Sequence, residues 1–238
     1  MNVYLTGDTH GKFGRITEFI KKLGVAEHDL IIILGDAGLN FYMDQRDYWG
    51  KLKLAMTHVN FLCIYGNHEC RPENISKYTT KEFCGGKVYY ESGYENIMFA
   101  VDGEVYTLPS KDNTDHKVLV CGGAYSVDKD YRLANYPQYW WKDEQPSDEI
   151  KQRVENKLDE MNWEVDNILT HTAPVNFEPT EVFLPGIDQS KVDKSTEIWL
   201  QSIYDRIKRF DKWYLGHYHC DKIIDNKIFI LFNNFELL

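Results

Sequence analysis

No Cys-x-x-Cys pair occurs in this 238-residue sequence. Its five cysteines, Cys63, Cys70, Cys84, Cys121 and Cys220, are an odd number without paired spacing. A disulfide framework is therefore not what organises the fold, and free thiols in a reducing cytosol are the expectation. Long apolar runs are missing too. No window approaches the roughly eighteen residues that a transmembrane helix needs, so no membrane partner is expected. The N-terminus has no basic segment ahead of its first motif, so a cleavable signal is not expected and a cytoplasmic location is. Basic residues are the minority, 27 against 37 acidic, for a net charge of −10. A surface of that sign repels duplex nucleic acid unless a local patch or a bound metal reverses it. Internal repeats, low-complexity tracts and linkers are all lacking, which leaves one domain over residues 1–238. A chain of this length buries roughly 70–75% of its unfolded surface, enough for a sizeable core.

What is present is a run of short apolar strands, each stopped by glycine. Residues 2–6 read as a strand ended by Gly7, Leu30–Leu34 as a strand buried on both faces and ended by Gly35, and Phe61–Tyr65 as a strand ended by Gly66. Between them, residues 13–24 carry Phe13, Ile16, Phe19, Ile20 and Leu23 at helical spacing, and residues 44–57 form a second helical stretch. This alternation predicts parallel pairing through right-handed crossovers. Residues 87–121 change character: short strand-like pieces separated by Gly, Asp and Asn predict antiparallel pairing. Further helices are expected over 148–162, with Ser147 as N-cap, and over 194–210. A strand is expected at 167–170, another at 213–215, and a hairpin over 222–232 that turns at Asp225-Asn226. Residues 172–193, with three prolines, read as a long loop that leaves directly from His171.

Five of these strand ends share one design, an apolar strand, a tight turn and then metal-ligand side chains. They are Gly7-Asp8-Thr9-His10-Gly11, Gly35-Asp36-Ala37-Gly38, Gly66-Asn67-His68-Glu69, Thr170-His171-Thr172 and Gly216-His217-Tyr218-His219. Five of the eight histidines fall in them. Strand ends of α/β sheets gather at one edge, where ligands bind. This pool of imidazoles, two carboxylates and an amide is too large for one four-coordinate zinc. It is too rich in nitrogen for calcium or magnesium. It suits two ions of the manganese, iron, zinc or cobalt group sharing a carboxylate. Two such ions clamp a phosphoryl oxygen and turn a water into hydroxide.

The ordered set DxH, GD, GNHE, H and GHxH resembles the calcineurin-like metallophosphoesterase superfamily, and it spans residues 7 to 219, nearly the whole chain. The resemblance implies an α/β fold, a four-layer αββα sandwich of two mixed β-sheets flanked by helices. It implies Asp8, His10, Asp36 and His219 around one metal, and Asp36, Asn67, His171 and His217 around the other. His68 matches the family's general acid, which protonates the leaving alkoxide or contacts the phosphate. The implied activity is phosphate ester hydrolysis through a metal-bridging hydroxide, most simply by a phosphatase acting on a phosphorylated small molecule, nucleotide or phosphoprotein. Two other readings stay open on the residues. One is a phosphodiesterase for cyclic or linear nucleotides, and the other is a metal-stabilised interaction module without turnover.

One position departs from the family. Many members continue the second motif as GDxxD, the second Asp orienting the catalytic histidine, and here that position is Leu39. Asp44 and Glu69 are the candidates to orient His68 instead. Arg71 and Arg132 are candidates to clamp the substrate phosphate, and each has the alternative of a salt bridge. The aromatics Tyr125, Tyr131, Tyr136, Tyr139, Trp140 and Trp141 either stack on a ring of the substrate or cap a hydrophobic surface.

Overall fold

The computed structural model describes residues 1–112 and 114–238. Among the described residues, the strands form two mixed sheets. The first uses β1 (Val3–Thr6), β2 (Leu30–Ile33), β3 (Asn60–Cys63), β4 (Tyr78–Phe83), β5 (Gly86–Glu91), β6 (Ile97–Ala100) and β13 (Glu236–Leu237), in the order β13-β1-β2-β3-β6-β5-β4. The second uses β7 (Val105–Pro109), β8 (Asp115–Cys121), β9 (Asn167–Thr170), β10 (Lys212–Leu215), β11 (Lys222–Ile224) and β12 (Ile228–Ile230), in the order β11-β12-β10-β9-β8-β7.

β1, β2 and β3 pair in parallel, as their glycine-ended alternation with helices predicts. β2 shows why its sequence is apolar throughout. Leu30, Ile32 and Leu34 point into the core between the sheets, while Ile31 and Ile33 face the outer layer. The period of two thus serves two interiors, not one interior and solvent. Against the outer face of the first sheet lie α1 (Gly14–Leu23) and α2 (Gln45–Ala55), whose Ile16 and Leu54 join its apolar cluster. Against the second sheet lie α4 (Asp148–Glu160) and α5 (Ser195–Arg206), which contribute Ile150, Val154, Leu158, Leu200 and Ile203. The layers run α, β, β, α, the sandwich that the motif set implied. No helix among the described residues is long and apolar enough to cross a membrane.

Three features depart from the sequence reading. β4 and β13 have no counterpart in it: β4 reads Tyr-Thr-Thr-Lys-Glu-Phe, is only half-buried and takes its place from the register against β5. The pieces in 87–121 pair antiparallel as β5 with β6 and β7 with β8, but β6 also runs parallel to β3, and β6 and β7 belong to different sheets. The chain changes sheets through Asp102 and Gly103, the latter at φ 87°. α3 (Lys129–Asn135) likewise has no counterpart in the sequence reading, and the loop 172–193 folds into three single 3₁₀ turns.

The helix signals behave as the residues dictate. α1 ends at Gly24 in the left-handed region (φ 64°), where its N–H bonds the Ile20 carbonyl. Ser147 caps α4, its hydroxyl accepting from the Ile150 amide at 3.3 Å. Ser147→Ala removes that acceptor and should cost about 1 kcal/mol, less than one core isoleucine. Urea denaturation of the variant checks this as a lowered midpoint at unchanged slope.

Candidate metal centre

The ends of five strands meet at one edge of the sandwich. Asp8 and His10 follow β1, Asp36 follows β2, and Asn67 and His68 follow β3. His171 follows β9, and His217 and His219 follow β10. The first sheet thus supplies both carboxylates and the amide, and the second supplies three of the imidazoles. Missing side chains make the approach possible. A Cβ on Gly66 would lie 2.1 Å from Asp36 Oδ1, one on Gly35 2.0 Å from His171 Nδ1, and one on Gly216 2.3 Å from Asp8 Oδ1. The glycines that end the strands are therefore the space that the ligands occupy.

The donor atoms fall into two groups that share Asp36. In the first, His219 Nε2 lies 3.2 Å from Asp8 Oδ2 and 2.9 Å from His10 Nε2, and His10 Nε2 lies 3.9 Å from both Asp8 Oδ2 and Asp36 Oδ2. In the second, Asn67 Oδ1 lies 2.9 Å from His171 Nε2 and 3.1 Å from His217 Nδ1, with Asp36 Oδ1 3.7 Å from His171 Nε2. Ligands about 2.1 Å from an ion stand about 3.0–3.4 Å from one another in octahedral or tetrahedral arrangement. Most of these separations are near that span. Each oxygen of Asp36 faces a different group.

Several partners outside the donor set aim the lone pairs. The His171 ring bonds the Leu34 carbonyl through Nδ1 at 2.8 Å, so the N–H sits there and Nε2 is free to ligate. Asn67 donates its amide to Ser126 Oγ at 2.8 Å, which turns Oδ1 towards His171 and His217. The His217 amide holds Asp8 Oδ1 at 2.9 Å, and Arg15 Nη2 binds the Gly7 and Asp8 carbonyls at 2.6 and 2.8 Å. Asp8 Oδ2 is buried and, although His219 is near, has no hydrogen bond of good geometry. A buried carboxylate oxygen left over among imidazoles is what an ion would satisfy. Of eleven non-glycine residues at positive φ among those described, four belong to this set: His10 (45°), Asp36 (47°), His217 (68°) and His219 (50°). Such strain concentrates where function over-determines the backbone.

The electrostatics agree. Burial opposes charge on Asp8, yet His219 and His171 hold it below the usual carboxylate range. Asp36 is likewise lowered, His68 and His171 outweighing its burial. Burial and the neighbouring His171 bring His217 down to about 3, which keeps its lone pair available.

His68 stands at the edge of the donor set, its ring 5.3 Å from that of His10 and 6.0 Å from Phe41. Neither Asp44 nor Glu69 orients it. Asp44 caps α2 and binds Arg46, and Glu69 accepts from the Gly38 and Leu39 amides at 2.7 and 3.3 Å. Leu39 is wholly buried in the outer apolar cluster that also holds Phe13. The neighbour is Arg132, whose Nη2 lies against both ring nitrogens of His68, Nδ1 and Nε2. Arg132 is fixed by Asp128 at 2.7 Å and by the Tyr139 carbonyl at 3.1 Å. Arg71 does not reach the site. It is 4% exposed, binds the Asp143 carbonyl at 2.9 Å and lies 2.6 Å from Asp102 Oδ2, and this pair ties GNHE to the crossing between sheets. Arg71 is therefore a buried salt bridge and not a phosphate clamp. Cys70 and Cys220 carry no donor atom into the groups described. Of the aromatics, Tyr139 packs on Phe41 at 5.4 Å, whereas Tyr131 and Tyr136 are exposed.

The family described as calcineurin-like phosphoesterase matches residues 1–221, and the chain belongs to it. It is a metal-dependent phosphoester hydrolase. Membership implies divalent metal ions, and the donor set fits them. Among solved structures, TT1561 of Thermus thermophilus is 12% identical, covers 99% of this chain and 97% of that one, and has a TM-score of 0.50. YfkN from Bacillus subtilis, a calcineurin-like phosphoesterase, is 12% identical over 97% of this chain and 80% of its own, with a TM-score of 0.43. At 12% identity the likeness to TT1561 is one of fold alone. None of the curated proteins compared matches the sequence significantly.

Gly66→Ala should displace Asp36 and strip most of the metal, as elemental analysis after gel filtration would show. Gly14→Ala, whose Cβ would meet nothing within 4 Å, is the control that keeps it.

Proposed function

We propose that the chain is a phosphomonoesterase for small phosphorylated molecules, with His68 and Arg132 serving the leaving group and the phosphate. The observation that carries this reading is a cavity of about 380 Å³ that has Asp36, Asn67, His68, His217 and His219 at one end and apolar side chains beyond them. A monoester has one substituent on phosphorus, and the chamber beside the donor set offers a place for it, which supports this reading.

The chemistry the ions supply when held by Asp8, His10, Asp36, Asn67, His171, His217 and His219 is neutralisation of phosphoryl charge and activation of water. Manganese, iron and zinc all suit this donor set. His68 supplies the proton or hydrogen bond for the departing oxygen. Burial lowers its basicity against the pull of Asp36, and the Arg132 guanidinium adds to the lowering. The balance on His68 is therefore tilted towards the neutral imidazole. A neutral imidazole gives up its proton reluctantly. Esters of acidic alcohols, which need little help to leave, are therefore favoured. Arg132 also brings a fixed positive charge next to the phosphate, held in place by Asp128.

His68→Ala should lower kcat on alkyl monoesters by roughly 10²–10⁴-fold while metal content is unchanged. The loss on para-nitrophenyl phosphate should be much smaller, because its leaving group needs little protonation. The decisive assay compares chromogenic mono- and diesters with manganese-reconstituted protein. A clear diester preference would overturn the monoesterase reading in favour of a phosphodiesterase.

A further inference from the structure

Beyond the donor set, the chamber beside the metal centre offers no uncompensated charge of either sign. Among the described residues that line it, none is Lys or Arg. Its acids outside the donor set are Asp128, Glu178 and Glu197. Asp128 holds Arg132 at 2.7 Å, and Glu178 holds Lys194 at 2.7 Å. Glu197 is buried, its Oε1 on the Thr172 hydroxyl at 2.8 Å and its Oε2 without accessible surface. Two further acids of the loop after His171 are paired as well, Asp188 with Lys191 at 3.7 Å and Glu181 with Lys222. The nearby Lys129 lies over the rings of Tyr125 and Trp140, 5.5 and 4.8 Å from their centroids. An anionic group in the chamber touches no cation of its lining, and a cationic one finds no carboxylate without a partner.

Hydrocarbon makes up the rest of the wall. Val182, Phe183, Leu184, Ile187 and Val192 come from the loop after His171, and Val127 from the segment before α3. Leu184 is 63% exposed, Val182 42% and Val127 40%, so a ligand can reach these side chains directly. Apolar side chains left to water around a concavity mark a binding site. The loop is built to hold them there. Phe183 stacks on Tyr218 with ring centroids 6.2 Å apart, and the Tyr218 hydroxyl lies 2.9 Å from Thr172 Oγ1. Pro185 and Gly186, the latter at φ 95°, make a turn that the Ile187 amide closes on the Leu184 carbonyl at 3.3 Å. The donor residues and the apolar wall are thus two ends of one chamber of about 380 Å³. An apolar cavity of about 150 Å³ already takes a benzene ring.

We infer that Val182 and Leu184 are specificity-determining residues, and that the alcohol half of the substrate is an uncharged, apolar group, a short alkyl chain or roughly one to two rings. This rests on the phosphomonoesterase reading for which group enters the chamber, though the chamber's preference is measurable without turnover. The inference excludes alcohols that carry further phosphates, carboxylates or ammonium groups.

The test titrates the metal-loaded full chain with non-hydrolysable alkylphosphonates by calorimetry. The probes are methyl-, propyl- and pentylphosphonate, with two more of pentyl length whose end methyl is replaced by carboxylate or by ammonium. The wild type should gain about fourfold in affinity per methylene that enters the chamber. Both charged probes should bind at least about 10-fold more weakly than the pentyl one. Val182→Lys and Leu184→Lys alter exposed positions, so the fold survives, and each adds a cation to the wall. The carboxylate probe should gain on the pentyl probe by about 10-fold in at least one of them. A purely structural role would shift all probes alike and leave that ratio unchanged. A flat alkyl series in the wild type would overturn the inference. So would tightest binding of either charged probe, or an unchanged ratio of carboxylate to pentyl affinity in both variants. Binding in the expected order by a protein that hydrolyses only diesters would refute the monoesterase reading and still support this one.

Discussion

The carboxylate of Asp36 is the point on which this structure turns. It lies between two sets of donors, Oδ2 facing His10 and Oδ1 facing His171, while the His68 amide grips Oδ1 at 2.8 Å. Its own backbone is held at φ 47°, a conformation that costs an ordinary residue on the order of 1–3 kcal/mol. The surroundings enforce it: the Thr9 and His10 amides both bond the Asp36 carbonyl, at 3.1 and 2.8 Å. The first motif is thereby locked to the second, and Gly66 leaves the gap through which the third approaches. Each strand end constrains the next.

This interlocking explains which parts of the molecule could be read in the sequence. A strand stopped by glycine and followed by Asp or His states its local geometry and its chemistry in a few residues, so the donors were legible. So were the helices, whose caps at Gly24 and Ser147 are local. Tertiary choices were not. Arg71 and Arg132 look equivalent as letters, yet Arg71 meets Asp102, 31 residues away, and Arg132 meets His68, 64 residues away. β4 has little apolar content and exists because β5 provides its ladder. Ser126 and Arg15 gain their roles from partners that only the fold brings near, and no spacing rule points to them.

Leu39 illustrates a different kind of economy. At the position where the GDxxD pattern has its second acid, this chain places an apolar residue in the core, and the acid that bears on His68 through Arg132 is Asp128, in the segment before α3. The charge then reaches His68 through a guanidinium. An anion becomes a cation at the point of contact, and burial together with the Arg132 guanidinium lowers the basicity of the imidazole.

The donor set also has a mechanical meaning. Asp8, His10, Asp36 and Asn67 hang from one sheet, and His171, His217 and His219 from the other. Ions held among them are rivets through the seam of the sandwich. Because the unfolded chain has no such seam, occupancy is itself cohesion: free metal at about a hundred times its dissociation constant adds about 2.7 kcal/mol to folding. With ions bound across that seam, thermal endurance would depend partly on the metal supply of the surroundings, and a starved molecule would be a softer one.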